Sequence, residues 1–125
     1  MRRILIVDDD TDMHVIYRDL FLGKKEVYEL AFARSVEEAI DKLDLTDFDL
    51  VVLDIVMGPL SGQYLFLKIR EDEKFKNNAM PIIVASVLED KQLTFLKNRD
   101  NTRIFQKPLN KEEFLCAIEE MLSVQ

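Results

Sequence analysis

Three short apolar runs organise the chain. Arg3 to Val7, Asp49 to Leu53 and Pro81 to Ala85 each carry at least four consecutive apolar residues, and each ends at a polar side chain. A continuous run of this length, bounded by polar or turn residues, suits a strand buried on both faces. Between and after them lie two weaker candidates. Glu26 to Ala33 sets Val27, Tyr28, Leu30 and Phe32 around Glu29, the amphipathic pattern of an edge strand. Arg103 to Gln106 is a short fifth strand. Helical spacing fills the intervals. Met13, Ile16, Tyr17 and Leu20 fall at i, i+3, i+4 and i+7, and Val36, Ala39, Ile40 and Leu43 repeat that pattern. Leu65, Phe66 and Ile69 mark a third helix. Residues 89–97, with Leu93 and Leu96, mark a weaker one, and Phe114 or Leu115 with Ile118, Met121 and Leu122 mark the last. Start and stop signals agree with these limits. Asp10 or Thr11 caps the first helix and Gly23 ends it. Ser35 and Glu38 have capping-box spacing, and Asn110 with Glu113 opens the last helix.

The elements alternate strongly, strand then helix, five times. That order implies right-handed crossovers, a parallel sheet and helices on both faces. The expected fold is α/β, a flavodoxin-like doubly wound (βα)5 unit with strand order 2-1-3-4-5. Residues 1–125 form one domain on this reading. In such a sheet the ligand crevice lies outside the carboxyl ends of the strands, between the first and the third. Asp8-Asp9-Asp10 follows the first strand and Asp54 follows the third, so the acids flank that crevice.

Composition narrows the partners. Seventeen basic and 24 acidic residues give a formal charge of −7. That opposes direct nucleic-acid binding, which depends on cationic side chains neutralising phosphates. It opposes an anionic membrane surface too. The apolar run at the N-terminus is too short for a signal peptide or a membrane span. One cysteine, Cys116, allows no internal disulfide. The expectation is a cytoplasmic protein. His14 falls off the 13-16-17-20 stripe and is expected to be an exposed helix residue.

Asp8, Asp9 and Asp54 would repel one another unless a cation joined them. Oxygen-only donors suit a hard ion, Mg²⁺ or alternatively Mn²⁺. No glycine-rich nucleotide loop is present. Ser86 ends the fourth strand and Lys107 follows the fifth, which adds a hydroxyl donor and an ammonium to the same crevice. Carboxylates, metal, hydroxyl and ammonium together suit a phosphoryl group, with Asp54 as nucleophile.

ILIVDDD at 4–10, DLVVLD at 49–54, PIIVAS at 81–86 and KP at 107–108 together resemble the receiver domain of two-component response regulators. The resemblance covers the whole chain. It implies transfer of a phosphoryl group from the phosphohistidine of a sensor histidine kinase, or from a histidine phosphotransfer protein, to Asp54. It implies that Asp9 ligates Mg²⁺ directly and Asp8 acts through water. The backbone carbonyl of Val56 completes the protein ligands. Ser86 stands at the switch position, Lys107 matches the family lysine, and the bond to Pro108 is commonly cis. The domain would assist only its own phosphorylation and dephosphorylation, and is otherwise no enzyme. Output is expected through protein contacts, with residues 89–125 meeting a downstream target or a second copy. The unit is either stand-alone or a piece of a longer regulator or hybrid kinase.

Several positions depart from the family pattern. Gly58 and Pro59 shift the usual proline one place later. Val87 replaces a small residue and is expected to hinder phosphodonors. Val56 and Leu88 are apolar at the two positions that bear on hydrolysis, which implies a long-lived phosphoaspartate. Ile104 takes the place of the aromatic switch. Phe105 cannot substitute, because a shift of one residue reverses the face of a strand. A pseudo-receiver that binds partners without phosphorylation is the alternative reading. A Mg²⁺-dependent phosphohydrolase is a third, and it lacks a general acid at Val56.

Overall fold

The apolar runs become the centre of a five-stranded sheet. The computed structural model describes residues 1–57, 61–72, 79–88, 93, 96 and 101–123. Its strands are β1 (Arg2–Val7), β2 (Tyr28–Ala33), β3 (Leu50–Leu53), β4 (Ile82–Ser86) and β5 (Thr102–Gln106). All neighbouring pairs are parallel, in the order β2-β1-β3-β4-β5. The helices among the described residues are α1 (Thr11–Leu20), α2 (Val36–Leu45), α3 (Gly62–Glu71) and α4 (Lys111–Ser123). The expected fold and strand order are therefore observed. The expected helix over 89–97 lies outside the described residues except for Leu93 and Leu96, both buried.

Alternation along the strands divides the core into two layers. Leu5, Val7, Val51, Leu53, Ile82 and Val84 pack toward α2 and α3. Ile4, Ile6, Leu50, Val52, Ile83 and Ala85 pack toward the aromatic residues of α1 and α4. Each fully buried aliphatic side chain contributes roughly 1.5–3 kcal/mol against exposure. The sheet is thus fixed in register from both faces, because a slip of one residue would exchange the two layers.

Caps set where the helices start. Asp10 accepts from Asp12 N–H to open α1. Ser35 Oγ accepts from Glu38 N–H at 3.0 Å to open α2. The return arm of the capping box reaches one residue further than expected, with Glu38 Oε2 accepting from Arg34 N–H at 3.3 Å. Asn110 Oδ1 accepts from Glu113 N–H at 3.0 Å to open α4. Gly23, at φ +86°, takes the left-handed backbone that ends the first helical segment. At the edge of the sheet away from the strand carboxyl ends, Arg70 of α3 donates to Met80 O at 2.6 Å and to Thr102 Oγ1 at 2.7 Å. It ties α3 to the entries of β4 and β5.

The stripe on α1 is rotated from its expected setting. Ile16 is exposed and Met13 only half-buried, while His14, Tyr17 and Leu20 face the core. His14, expected on the surface, is 5% exposed. β2 is shorter than expected at its start: Val27 is exposed and its carbonyl accepts from Arg2 N–H at 3.0 Å, just before the paired register begins.

Candidate phosphoacceptor site

The site grows out of the carboxyl ends of β1, β3, β4 and β5. Val7 pairs with Leu53 in the sheet, so Asp8 and Asp54 leave adjacent strands at one level. Asp54 N–H donates to Val7 O at 3.0 Å, and Asp8 N–H donates to Ala33 O at 3.0 Å. These bonds carry the sheet one residue past β1 and β3 and aim both carboxylates at the crevice. Asp8, Asp9 and Asp54 each bring an oxygen within 4.8 Å of the others. Asp8 and Asp54 are buried and Asp9 is exposed.

Lys107 reaches the same point from β5. Its Nζ donates to Asp8 Oδ2 at 2.8 Å and to Asp54 Oδ2 at 3.3 Å. The lysine side chain is only 11% exposed. Its position depends on Ser86, whose carbonyl accepts from Lys107 N–H at 2.9 Å. The Lys107–Pro108 bond is cis. The other oxygens of the acidic pair are held by the backbone: Asp54 Oδ1 accepts from Val56 N–H at 3.1 Å, and Asp8 Oδ1 from Asp10 N–H at 2.9 Å.

The charges pull against burial. Burial pushes the Asp54 carboxyl above its ordinary 3.8; Lys107 draws it down, Asp8 pushes it up again, and the net shift is upward. Burial by itself would lower Lys107, but its hydrogen bond to Asp8 and the charges of Asp54 and Asp8 carry it above 10.5. The lysine is therefore firmly cationic, while the Asp54 carboxylate remains under-compensated. The phenol of Tyr17, buried beneath the crevice, is pushed far up by burial first and then by Asp8 and Asp54. Two buried carboxylates that share one ammonium, with a third carboxylate beside them, suit a small hard cation. All the donors are oxygens, and Mg²⁺ takes one or two carboxylates with waters.

Ser86 is fully buried at the end of β4, and its Oγ accepts from Leu88 N–H at 3.2 Å. Its own O–H remains available by chemistry as a donor. Val87 lies on the rim, 68% exposed, and Val56 is half-exposed beside Asp54. Ile104 packs toward α2 and α3, whereas Phe105 packs on the opposite layer, edge-on to Phe114 at 6.0 Å. The two residues face opposite sides of β5. Gly58 and Pro59 lie outside the described residues.

Gly62, the first residue of α3, is pressed against the backbone at Asp54. Its N–H donates to Ile55 O at 2.9 Å, and a Cβ there would overlap the Asp54 carbonyl oxygen and lie 2.8 Å from Ile55 Cα. Both neighbours are backbone and cannot rotate away. Gly62→Ala is expected to destabilise the chain by about 1–3 kcal/mol, the usual scale of overpacking. Urea denaturation of the variant checks this, and an unchanged midpoint would contradict it.

His14 was missed in the sequence. Its Nε2 lies 2.7 Å from the backbone oxygen of Asp8, and its ring packs on Phe32 with centroids 4.8 Å apart. Buried and engaged at Nε2, this imidazole is not presented to a phosphodonor.

With this geometry in hand, comparison with known proteins is decisive. A family model described as the response regulator receiver domain matches residues 4–119. The chain belongs to that family. Receiver domains are signalling modules of two-component systems. This receiver is 27% identical over 124 residues to the sensor histidine kinase TmoS of Ectopseudomonas mendocina, covering 98% of the chain and 12% of TmoS. It is 28% identical over 122 residues to the heme response regulator HssR of Staphylococcus saprophyticus, covering 98% of the chain and 52% of HssR. The receiver thus spans only part of the length of these relatives. Among solved structures, a CheY-like receiver domain protein from Methanospirillum hungatei superposes with a TM-score of 0.83 at 26% identity, covering 99% of this chain and 95% of that one. The response regulator TrrA from Thermotoga maritima, solved with Mg²⁺ and BeF, gives 0.79 at 27% identity, covering 98% of this chain and 100% of that one. Among the described residues no helix is long and apolar enough to cross a membrane.

Proposed function

We propose that this receiver takes a phosphoryl group onto Asp54 from a histidine kinase or histidine phosphotransfer protein, in a Mg²⁺-dependent reaction, and signals through protein contacts. The observation that carries the reading is the pairing of Asp54 with Asp8, Asp9 and a bridging Lys107 at the switch point of the sheet.

An Asp54 carboxylate oxygen attacks phosphorus while the P–N bond to the donor imidazole breaks, and the imidazole leaves with the electron pair. Burial raises the Asp54 carboxyl above its ordinary value, which makes the ionised carboxylate a better nucleophile than an ordinary surface aspartate. Lys107 is placed to turn from the carboxylates to a phosphoryl oxygen, and Ser86 to donate its O–H to another. Asp9, Asp8, Asp54 and the Val56 carbonyl would hold the ion, whose charge offsets that of the phosphoryl oxygens. Positioning and charge stabilisation are most of what phosphoryl transfer needs.

Release is expected to be slow. Val56 and Leu88 offer no polar group to hold an attacking water. Purified phosphoprotein without a phosphatase should decay over minutes to hours; decay within seconds would contradict this. Output is assigned to the surface of residues 89–125, where β5 and α4 lie side by side, joined by the Arg103–Glu120 ion pair at 2.7 Å. A downstream protein or a second copy of the chain would read it. The unit is placed in the cytoplasm, where histidine kinases present their phosphohistidine.

A phosphotransfer panel against the histidine kinases of the same genome tests the reading. One kinase should label the wild type rapidly and leave Asp54→Asn unlabelled. The exposed Val87 at the mouth and the missing ring at Ile104 favour the pseudo-receiver as the second reading. No labelling by any kinase, and no response to beryllofluoride, would support it.

A further inference from the structure

We infer that His14 is a positioning residue for the acidic pair that would hold Mg²⁺, an inference that rests on the metal reading above. A backbone carbonyl can only accept a hydrogen bond, so at 2.7 Å from Asp8 O the His14 Nε2 must carry the proton. The ring is fixed by its surroundings. It packs on Phe32 of β2 at an interplanar angle of 33°, and the Arg18 guanidinium lies 4.5 Å from the centre of the same Phe32 ring.

Asp8 is consequently held at every polar atom. Its N–H is bound by Ala33 O, its Oδ1 by Asp10 N–H, its Oδ2 by Lys107 and its carbonyl by His14. The last contact acts on the peptide linking Asp8 to Asp9. That unit is planar, so fixing its carbonyl fixes the direction of the Asp9 N–H and the point from which the Asp9 side chain departs. Asp9 is exposed, and its side chain departs from a backbone that His14 holds. Partners that orient metal ligands in this way commonly change affinity by about 10–100-fold.

The test is Mg²⁺ binding by calorimetry, with no phosphodonor present, to wild type, His14→Phe and His14→Gln. His14→Phe fills the buried space without a donor and should bind about tenfold more weakly. His14→Gln, whose amide can donate to the same carbonyl, should recover most of the loss. Equal binding by His14→Phe and wild type, or weaker binding by His14→Gln than by His14→Phe, would overturn the assignment and leave the phosphoacceptor reading intact. A wild type that binds no Mg²⁺ would overturn the metal reading and this inference with it. Nitrogen-15 NMR of the wild type decides independently of whether the variants fold. The proton should be found on Nε2 and protected by a hydrogen bond; a ring protonated only at Nδ1 would overturn the inference.

Discussion

Asp54→Asn is expected to take up no phosphoryl group from any donor, and in Mg²⁺-free buffer to unfold at a higher temperature than the wild type. Both effects come from one carboxylate. The amide is not a nucleophile toward phosphorus, so covalent uptake is lost completely. The stability gain follows from the direction of the shift at Asp54. Burial raises this group above its ordinary 3.8, Lys107 offsets only part of that, and Asp8 adds to the rise. A carboxyl raised by folding contributes most below its unfolded value and loses that contribution as pH rises through its folded value. Above its folded value the ionised Asp54 therefore costs stability. Asparagine removes the cost and keeps an oxygen for the Val56 N–H. Thermal unfolding in a chelator should place the variant a few degrees above wild type at neutral pH. The difference should vanish in acid, where wild-type Asp54 is protonated. A variant less stable than wild type at neutral pH would contradict the charge balance described for the crevice.

Lys107→Ala should be the most destabilising change in the crevice. Two buried carboxylates then face each other with no ammonium between them. Removing one partner of a buried ion pair costs about 3–5 kcal/mol, because the other charge is left uncompensated. Urea denaturation in Mg²⁺-free buffer should show a loss on that scale. Added Mg²⁺ should recover part of it by binding the folded state alone. Phosphoryl uptake should fall about a hundredfold even when Mg²⁺ is saturating, the scale for losing one charge-stabilising group. The wild type has its own pH signature here. Lys107 is raised above 10.5, so its contribution is complete below that value and is lost as pH rises through its higher folded value. Lys107→Ala should lack this alkaline loss. Uptake at the wild-type rate would remove Lys107 from the chemistry.

Legibility in the sequence followed how local the physics is. The central strands were readable because burial on both faces leaves an unbroken apolar run, as at Leu50 to Leu53. Their order followed from the alternation of elements, and the caps at Asp10, Ser35 and Asn110 from side chains that satisfy nearby N–H groups. His14 was not readable in the same way. Periodicity treats a histidine as polar and sets it outside the stripe, yet the Asp8 carbonyl at the end of β1 needed a donor from the helix above. That need exists only once strand and helix are packed. The rotation of α1 that exposes Ile16 has the same origin. The contact of Gly62 with the Asp54 carbonyl depends on how α3 docks, which no local pattern carries. The Ile104 and Phe105 faces were legible because strand alternation is strictly local.

The central claim is that Asp54 is a phosphoacceptor served by the crevice around it. Intact-mass spectrometry of the wild-type chain, after incubation with a phosphohistidine donor and Mg²⁺, tests it most directly. The predicted result is a mass gain of one phosphoryl group, mapped to Asp54 and absent when Mg²⁺ is chelated. An unchanged mass with a competent donor, or a phosphoryl group mapped elsewhere, would contradict it.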